Sequence, residues 1–261
     1  MAPDKPDPWV LHRRRIEAAA ATLQPGSMFS HTSAALIHGL PLLSGRYGVV
    51  DVIRTNGGHG EITETMHARS ATLDADEIAD VDGLPVTSLA RTATDLIRQL
   101  PFMEAVMVAD AALLKGETLE NLLARTAQGR GCRMAAAVLA FADGRAESPG
   151  ESISRVKIHK AGLPIPDLQR NLHDANGEFL ARTDFWWEGH RLAGEFDGIV
   201  KYEALVPEGK TVADVIRAEK RREQALRDEG IEVIRWTWDD LWHPGCFVDR
   251  IRQTMARLPH R

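Results

Sequence analysis

Between residues 151 and 241 the sequence alternates between helical and extended patterns in an order that few layer architectures accommodate. The predicted elements are, in order, a helix at 151–161, strands at about 167–174, 179–187 and 191–197, a long helix at 211–229, a strand at 231–236 and a closing helix. The Asn176-Gly177 pair between the first two strands is typical of a β-hairpin turn. A helix, a three-stranded meander, a second helix and a further strand predict an α/β/α sandwich, because each apolar strand face must be covered by another layer.

The N-terminal half predicts a small mixed region followed by a series of helices. Helices are expected at 10–23, 30–39, 89–99, 102–114, 117–126 and 131–142, and a strand at 47–54 with 61–69 as its partner. Ser88 is the expected N-cap of the helix at 89–99. The composition changes near 142–150, and 261 residues exceed the common size of one domain. We therefore predict an α+β or α/β protein with domains at 1–145 and 146–261.

Composition and charge narrow the class of protein. With 44% hydrophobic and 26% charged residues and no apolar run near ~18 residues, the chain is typical of a soluble protein and predicts no membrane span. Cys132 and Cys246 lie far apart without a Cys-x-x-Cys spacing, so we expect neither structural zinc nor a disulfide, and we predict a cytoplasmic protein. The net charge of −5 gives no general attraction to nucleic acid, so such a role depends on local patches and on metal ions.

Three acidic residues are placed to meet in the predicted C-terminal domain. Asp184 and Glu195 are eleven residues apart on neighbouring strands joined by one turn, and Glu151 lies on the preceding helix. Mg²⁺ prefers one or two carboxylates together with substrate phosphate and water. The pattern therefore predicts a site for one hard divalent cation, Mg²⁺ or Mn²⁺.

These acidic residues belong to a longer ordered set of motifs. In chain order the set is Glu151 with Arg155, Gln169, Arg182-Thr-Asp184-Phe, Glu195-Phe-Asp197-Gly198, Lys201-Tyr202, Glu219-Lys-Arg-Arg-Glu223 and Gly230-Ile-Glu-Val-Ile-Arg-Trp236 with Asp239-Asp240-Leu241. In order and spacing, residues 148–241 resemble the very-short-patch-repair-like branch of the PD-(D/E)xK nuclease superfamily. The resemblance implies a restriction-endonuclease-like sandwich and metal-dependent cleavage of DNA phosphodiester bonds in repair or in defence against phage.

The resemblance also implies roles for individual residues. It implies that Asp184 and Glu195 bind the metal directly and that Glu151 binds it directly or through water. Gln169 would orient a water or a ligand, and Lys201 or Lys220 would place a positive charge near the attacking water. Arg221 and Arg222 would contact phosphate. The lysine that normally follows the strand carboxylate by two residues is Asp197 in this chain. We expect Asp197 to lie on the strand face opposite Glu195, away from the cation.

The N-terminal half carries a second set of motifs. Its members are Ser30-His-Thr-Ser-Ala-Ala-Leu-Ile-His-Gly-Leu-Pro41 and Gly83-Leu-Pro-Val-Thr-Ser-Leu-Ala-Arg-Thr-Ala-Thr-Asp95. Residues 28–115 resemble the part of AbiEi-type antitoxins of type IV toxin–antitoxin systems that does not bind DNA. The resemblance implies an antitoxin-like module without its winged helix, and a cognate toxin or another protein as a partner.

Several of these residues also have a purely structural interpretation. Asp184 and Glu195 can be salt-bridged strand residues, and Glu151 can pair with Arg155 one helical turn away. The run 219–223 can be a solvated helix face. The tryptophans at 186, 187, 236 and 238 can stack on bases, but core positions are the expected ones.

The sequence leaves the class of function open. The Asp184 and Glu195 pair favours an enzyme, whereas the aspartate in place of the lysine favours a catalytically inactive antitoxin or regulator that binds nucleic acid or a protein. A scaffold for protein contacts is a third interpretation, compatible with the negative net charge. In the N-terminal half, His31 follows Ser30 and is expected to be a capping or buried imidazole rather than a metal ligand.

Overall fold

The computed structural model describes residues 7–57, 59–198, 211–243 and 245–259. The chain divides into two compact units, Met1–Gly144 and Arg145–Arg261, one residue from the domain junction predicted above. The described residues form ten α-helices and two sheets, so the protein is mixed α and β. Among these helices, none is long and apolar enough to cross a membrane.

The N-terminal unit combines a six-stranded sheet with helices. Its elements are, in chain order, α1 (Pro8–Ala20), β1 (Ser27–Phe29), α2 (His31–His38), β2 (Val50–Arg54), β3 (Glu61–Ile62), β4 (Met66–Ser70), β5 (Ile78–Val81), β6 (Leu84–Thr87), α3 (Leu89–Gln99), α4 (Phe102–Leu114), α5 (Leu119–Thr126) and α6 (Cys132–Phe141). The strand order is β3-β4-β2-β1-β6-β5. The six predicted helices are confirmed, and the Ser88 hydroxyl accepts a hydrogen bond from the Arg91 N–H at the start of α3. His31 is buried, as expected, with its Nδ1 3.0 Å from the Ser30 hydroxyl.

Three strands of this sheet, β1, β5 and β6, were missed in the sequence. All three residues of β1 are buried, and the strand lies between β2 and β6 inside the sheet. A strand buried on both faces does not alternate between apolar and polar residues, so it lacks the period-two signal. The predicted partner of β2 is present as β4, which pairs with β2 in parallel register, Val52 opposite Ala68.

The C-terminal unit is built around a four-stranded sheet. Its elements are α7 (Pro149–Lys160), β7 (Asp167–His173), β8 (Phe179–Trp187), β9 (Leu192–Asp197), α8 (Val212–Asp228), β10 (Glu232–Thr237), α9 (Trp238–Trp242) and α10 (Cys246–Arg257). The predicted meander of β7, β8 and β9 is confirmed as antiparallel, and β10 lies parallel to β9. Parallel neighbours need a crossover connection, which explains why α8 separates β9 from β10. The predicted closing helix consists of two helices, α9 and α10.

Helices cover both faces of this sheet. On one face, the Trp236 ring lies 5.0 Å from Phe185 and 5.2 Å from Phe247 of α10, and its indole N–H donates to Ser154 of α7 at 2.7 Å. Trp186 follows Phe185 in β8 and therefore points to the other face. There it packs in a cluster with Leu226 of α8. The expected core positions of the tryptophans are confirmed at 186, 187 and 236, which are buried.

A close contact between α7 and β9 brings the start of the helix to the end of the strand. A Cβ atom at Gly150, in the first turn of α7, would lie 2.0 Å from Cε1 of Phe196. The Phe196 ring also contacts Trp238 edge-on, with the ring centroids 5.1 Å apart. Only glycine therefore permits this approach, and the residue that follows it is Glu151.

We expect Gly150→Ala to lower the free energy of unfolding by about 1–3 kcal/mol, because the Phe196 ring must move to admit the methyl group. Urea unfolding of the purified variant measures the change. Gly198→Ala is the matched control, since among the described residues the nearest atom to a Cβ at Gly198 is Cε1 of Phe196, 4.0 Å away. Equal losses in the two variants would show that the contact with Phe196 is not what requires glycine at position 150.

Candidate functional site

Asp184 lies where the two central strands of the C-terminal sheet stop pairing through their backbones. The last backbone pair of β8 and β9 is Phe185 opposite Gly194. Beyond this pair, side-chain hydrogen bonds connect the two strands. The Thr183 hydroxyl donates to the Gly194 carbonyl at 3.0 Å, and the Phe196 N–H donates to Oδ2 of Asp184 at 2.9 Å. Continuation of the same register places Asp184 beside Glu195.

Gln169 links Asp184 to the start of α7. Its Nε2 atom donates to Oε2 of Glu151 at 2.9 Å and lies 3.4 Å from Oδ1 of Asp184. The backbone of Gln169 has φ of 54°, a left-handed conformation within β7. Residues other than glycine adopt it at a cost of roughly 1–3 kcal/mol, and such strain concentrates at functional sites. The predicted orienting residue therefore contacts two of the three predicted carboxylates.

Glu151 has a structural role as well as a place in the site. Its carboxylate accepts hydrogen bonds from the Ser148 hydroxyl at 2.7 Å and the Glu147 N–H at 2.9 Å, while its own N–H donates to the Ser148 hydroxyl at 3.2 Å. Ser148 is the N-cap of α7, and an acidic side chain in the first turn also interacts favourably with the helix dipole. Glu151 is buried, so the donors around it fix its position.

The electrostatic surroundings of Asp184 disfavour its charged form. Burial raises its pKa to about 6, and the neighbouring carboxylates of Glu151 and Glu195 act in the same direction. The hydrogen bonds from the Phe196 N–H and from Gln169 oppose the increase. Both of these donors are neutral groups, so they lower the pKa less than a cation at the same distance would.

Glu195, the second predicted ligand, is held by two guanidinium groups. Nη2 of Arg222 in α8 lies 2.8 and 2.9 Å from its two carboxylate oxygens, and Nε of Arg235 in β10 lies 2.8 Å from Oε2. Glu219 of α8 accepts from the same two arginines, at 2.9 Å from Arg222 and 2.5 Å from Arg235. Two acidic and two basic side chains thus form an ion-pair quartet on the α8 face of the sheet.

Arg235 was not among the site residues predicted from the sequence, and the register of β9 and β10 explains its place in the quartet. Arg235 lies directly opposite Glu195 in the parallel pair, so both side chains lie on one face. The alternation of β10 was the available signal, since it places Arg235 and Val233 on the face opposite Trp236.

The expectation that Asp197 lies on the face opposite Glu195 is wrong. Residues two apart in a strand share a face, and both belong to β9. Burial raises the pKa of Asp197, while the charges of Arg235 and Arg222 lower it and those of Glu195 and Glu219 raise it further. Asp197 therefore borders the quartet.

The predicted basic residues of α8 are divided between the site and the solvent. Arg222 faces the sheet, but its guanidinium is engaged by carboxylates rather than available as the free phosphate contact we expected. Lys220 and Arg221 are exposed. Lys220 is rotated by about 100° around the helix from Glu219 and therefore does not join the quartet. The other predicted lysine, Lys201, lies outside the described residues.

The donor set fits a divalent cation only in part. The described residues contain no group of three or more His, Cys, Asp or Glu side chains placed to hold one metal ion. Mg²⁺ needs only one or two carboxylates when phosphate and water complete its shell. Asp184, whose donors among the described residues are the neutral ones named above, and the neighbouring Glu195 supply such a pair.

The chain is similar to proteins of Mycobacterium tuberculosis whose names state no activity. No model of a protein family matches the chain. The sequence is 35% identical over 182 residues to "Uncharacterized protein MT2308" and "Uncharacterized protein Rv2248" from two strains of Mycobacterium tuberculosis. The match covers 68% of this chain and 64% of the length of each relative. Among solved structures, the crystal structure of the RV2827C protein from Mycobacterium tuberculosis is similar with a TM-score of 0.36 and 16% identity, over 57% of each chain.

Proposed function

We propose that the C-terminal unit is a restriction-endonuclease-like domain of the PD-(D/E)xK type that hydrolyses DNA phosphodiester bonds with Mg²⁺ or Mn²⁺. The observation that carries this proposal is the environment of Asp184. This carboxylate lies beside Glu195, is linked through Gln169 to Glu151, and has its pKa raised to about 6. A protein keeps a carboxylate in such surroundings at a cost in stability, and perturbed groups of this kind concentrate at functional sites.

In this proposal each side chain of the site has a defined task. Asp184 and Glu195 bind the cation, and Gln169 fixes Asp184 relative to Glu151. When bound, a divalent cation polarises the phosphate and makes its water more acidic. Arg222 and Arg235, which now balance Glu195, would be the guanidiniums nearest to a bound phosphate, and their planar donor groups suit phosphate oxygens. Lys220 receives no role, because it faces away from the quartet.

The N-terminal unit enters the proposal as an AbiEi-type antitoxin-like module. Two motifs carry the resemblance to these antitoxins. The first forms α2 with its glycine C-cap, and the second forms β6 and α3. The expected partner of this unit is a cognate toxin or another protein, and the expected compartment is the cytoplasm.

Cleavage of supercoiled and mismatched DNA by the full chain tests the enzyme. With Mg²⁺ or Mn²⁺ we expect nicking or linearisation that Asp184→Asn slows by about 10³-fold, because a ligand of the cation is lost. Asp174→Asn is the matched control: Asp174 lies in the turn between β7 and β8, where it accepts backbone hydrogen bonds. Cutting that persists in Asp184→Asn would contradict the proposed site.

A second candidate is a binding protein that keeps the fold without cleaving. The observation in its favour is the quartet, because Glu195 is already neutralised by two arginines and Asp197 replaces the expected lysine. DNA retained in the presence of EDTA, together with no cleavage under any metal condition, would establish this candidate as an antitoxin or regulator and exclude the nuclease.

A further inference from the structure

A basic pocket lies in the C-terminal unit at the end of α7 away from Glu151. It has a volume of about 360 Å³ and is lined by residues of α7 and of the segment from α9 to α10. Its charged and titratable lining consists of Lys157, Lys160, His243, Arg252 and Asp249. Asp249 is paired with Arg252, so the two lysines leave the pocket with a net positive charge.

Helix capping explains only part of this charge. Arg252 lies 3.4 Å from the carbonyl of Ala161, and Lys157 donates to the carbonyl of Leu241. These contacts account for two of the cations, and positive charge near the C-terminus of α7 also interacts favourably with the helix dipole. Lys160 is exposed one turn from Lys157, and the two like charges repel each other. Burial lowers the pKa of Lys157, and the charge of Lys160 lowers that pKa further. Repulsion of this kind is relieved by an anion.

Trp242 adds an aromatic surface next to the pocket. Its side chain is 49% exposed, in contrast to the buried Trp186, Trp187 and Trp236 of the same unit. Nζ of Lys157 lies 5.3 Å from the centroid of its ring. Aromatic side chains beside basic ones are the combination that binds single-stranded nucleic acid, because the ring stacks on a base while the cations contact the phosphates.

The distance from the pocket to the candidate site suits one nucleic-acid molecule. Glu151 and Lys160 are nine residues apart on the same helix, which corresponds to about 14 Å along its axis. This is about four base steps at the 3.4 Å spacing of a strand in duplex DNA, and fewer steps in an extended, unpaired strand. The pocket and the candidate site are therefore close enough for one DNA strand to contact both.

We infer that Lys157, Lys160, Arg252 and Trp242 form a contact site for an unpaired stretch of DNA, with phosphates at the pocket and a base on the indole ring. The inference rests on the proposed function for the identity of the ligand and adds to it the form of the DNA. It also assigns a role to α7, which carries Glu151 at one end and this contact site at the other.

Fluorescence anisotropy of a labelled 20-nucleotide single strand, measured with the full chain in EDTA, tests the contact site without cleavage. We expect Trp242→Ala to weaken binding about 10-fold, in line with the loss of one stacked base. Lys160→Gln should weaken it as well and reduce the slope of log K against log salt by about 0.7. A duplex of the same sequence should bind with little dependence on Trp242.

Two controls match these variants. Trp9→Ala removes an indole with the same exposed fraction, 49%, from α1 of the N-terminal unit. Arg227→Gln removes an exposed positive charge from α8. Neither should weaken binding by more than about twofold, and thermal unfolding should show that all four variants remain folded.

The outcomes separate this inference from the proposed function. Equal weakening by Lys160→Gln and Arg227→Gln would overturn the contact site, since the effect would then be one of net charge. Unchanged binding in Trp242→Ala and Lys160→Gln, while Asp184→Asn still abolishes cleavage, would overturn the contact site alone. Absence of single-strand binding by the unmodified protein would overturn the contact site, and absence of cleavage with Mg²⁺ or Mn²⁺ as well would overturn both.

Discussion

Asp184→Asn is expected to stabilise the folded protein above pH 6. The pKa of Asp184 is raised from 3.8 to about 6 in the folded state, chiefly by burial and then by the nearby carboxylates of Glu151 and Glu195. Between these two pH values the folded state binds more protons than the unfolded state, so the unfolding free energy falls as the pH rises. The asparagine carbonyl can still accept the Phe196 N–H while it carries no charge. We expect a gain of about 2 kcal/mol at pH 8.

Chemical unfolding in metal-free buffer at pH 4, 6 and 8 measures this effect. The gain of Asp184→Asn over the unmodified protein should be near zero at pH 4 and largest at pH 8. Addition of Mg²⁺ or Mn²⁺ should then stabilise the unmodified protein but not the variant, because a ligand that binds only the folded state stabilises it. A variant that is less stable at pH 8 would show that the Asp184 carboxylate is a structural partner rather than a reserved ligand.

Glu195→Gln is expected to have the opposite effect, although Glu195 neighbours Asp184. Its carboxylate is 12% exposed and balances Arg222 and Arg235 at 2.8 Å. Removal of one partner from a buried ion pair leaves uncompensated charge, which costs up to 3–5 kcal/mol in fully buried cases. The arginines are partly exposed and retain Glu219, so we expect a loss of about 2 kcal/mol at pH 7.

Glu17→Gln provides the control for this variant. Glu17 pairs with Arg13 one turn away on α1, where both side chains are more exposed than those of Glu195 and Arg222. Exposed pairs of this kind contribute about 0.3–0.5 kcal/mol. A loss in Glu195→Gln no larger than that in Glu17→Gln would mean that the quartet does not stabilise the fold. Opposite signs for Asp184→Asn and Glu195→Gln would distinguish a carboxylate without a cationic partner among the described residues from one that arginines compensate.

Local patterns determined most of the C-terminal unit. The strand β8 was predicted with the observed bounds of 179–187, and the Asn176-Gly177 turn fixed the hairpin that it forms with β7. Once three antiparallel strands are joined by short turns, residues on neighbouring strands become neighbours in space. The proximity of Asp184 and Glu195 followed from this local information alone.

Strands without local signals were not predictable in the same way. The short strand β1 is buried along its whole length, and its neighbours β2 and β6 are about 20 and 55 residues away in the chain. Such a strand is recognised by its partners rather than by its own alternation. The N-terminal sheet was therefore only partly described by the sequence.

The sequence by itself determined which residue types meet at the candidate site, because helix and strand periodicity, turn residues and caps are properties of adjacent residues. Only the tertiary structure decided how they are paired. Arg235 lies opposite Glu195 because β9 and β10, which α8 separates in the chain, pair in parallel. Gln169 contacts two carboxylates from a left-handed backbone conformation, and Lys220 is exposed to solvent. These outcomes depend on contacts between elements far apart in the chain, where burial and neighbouring charge set the energy of each side chain.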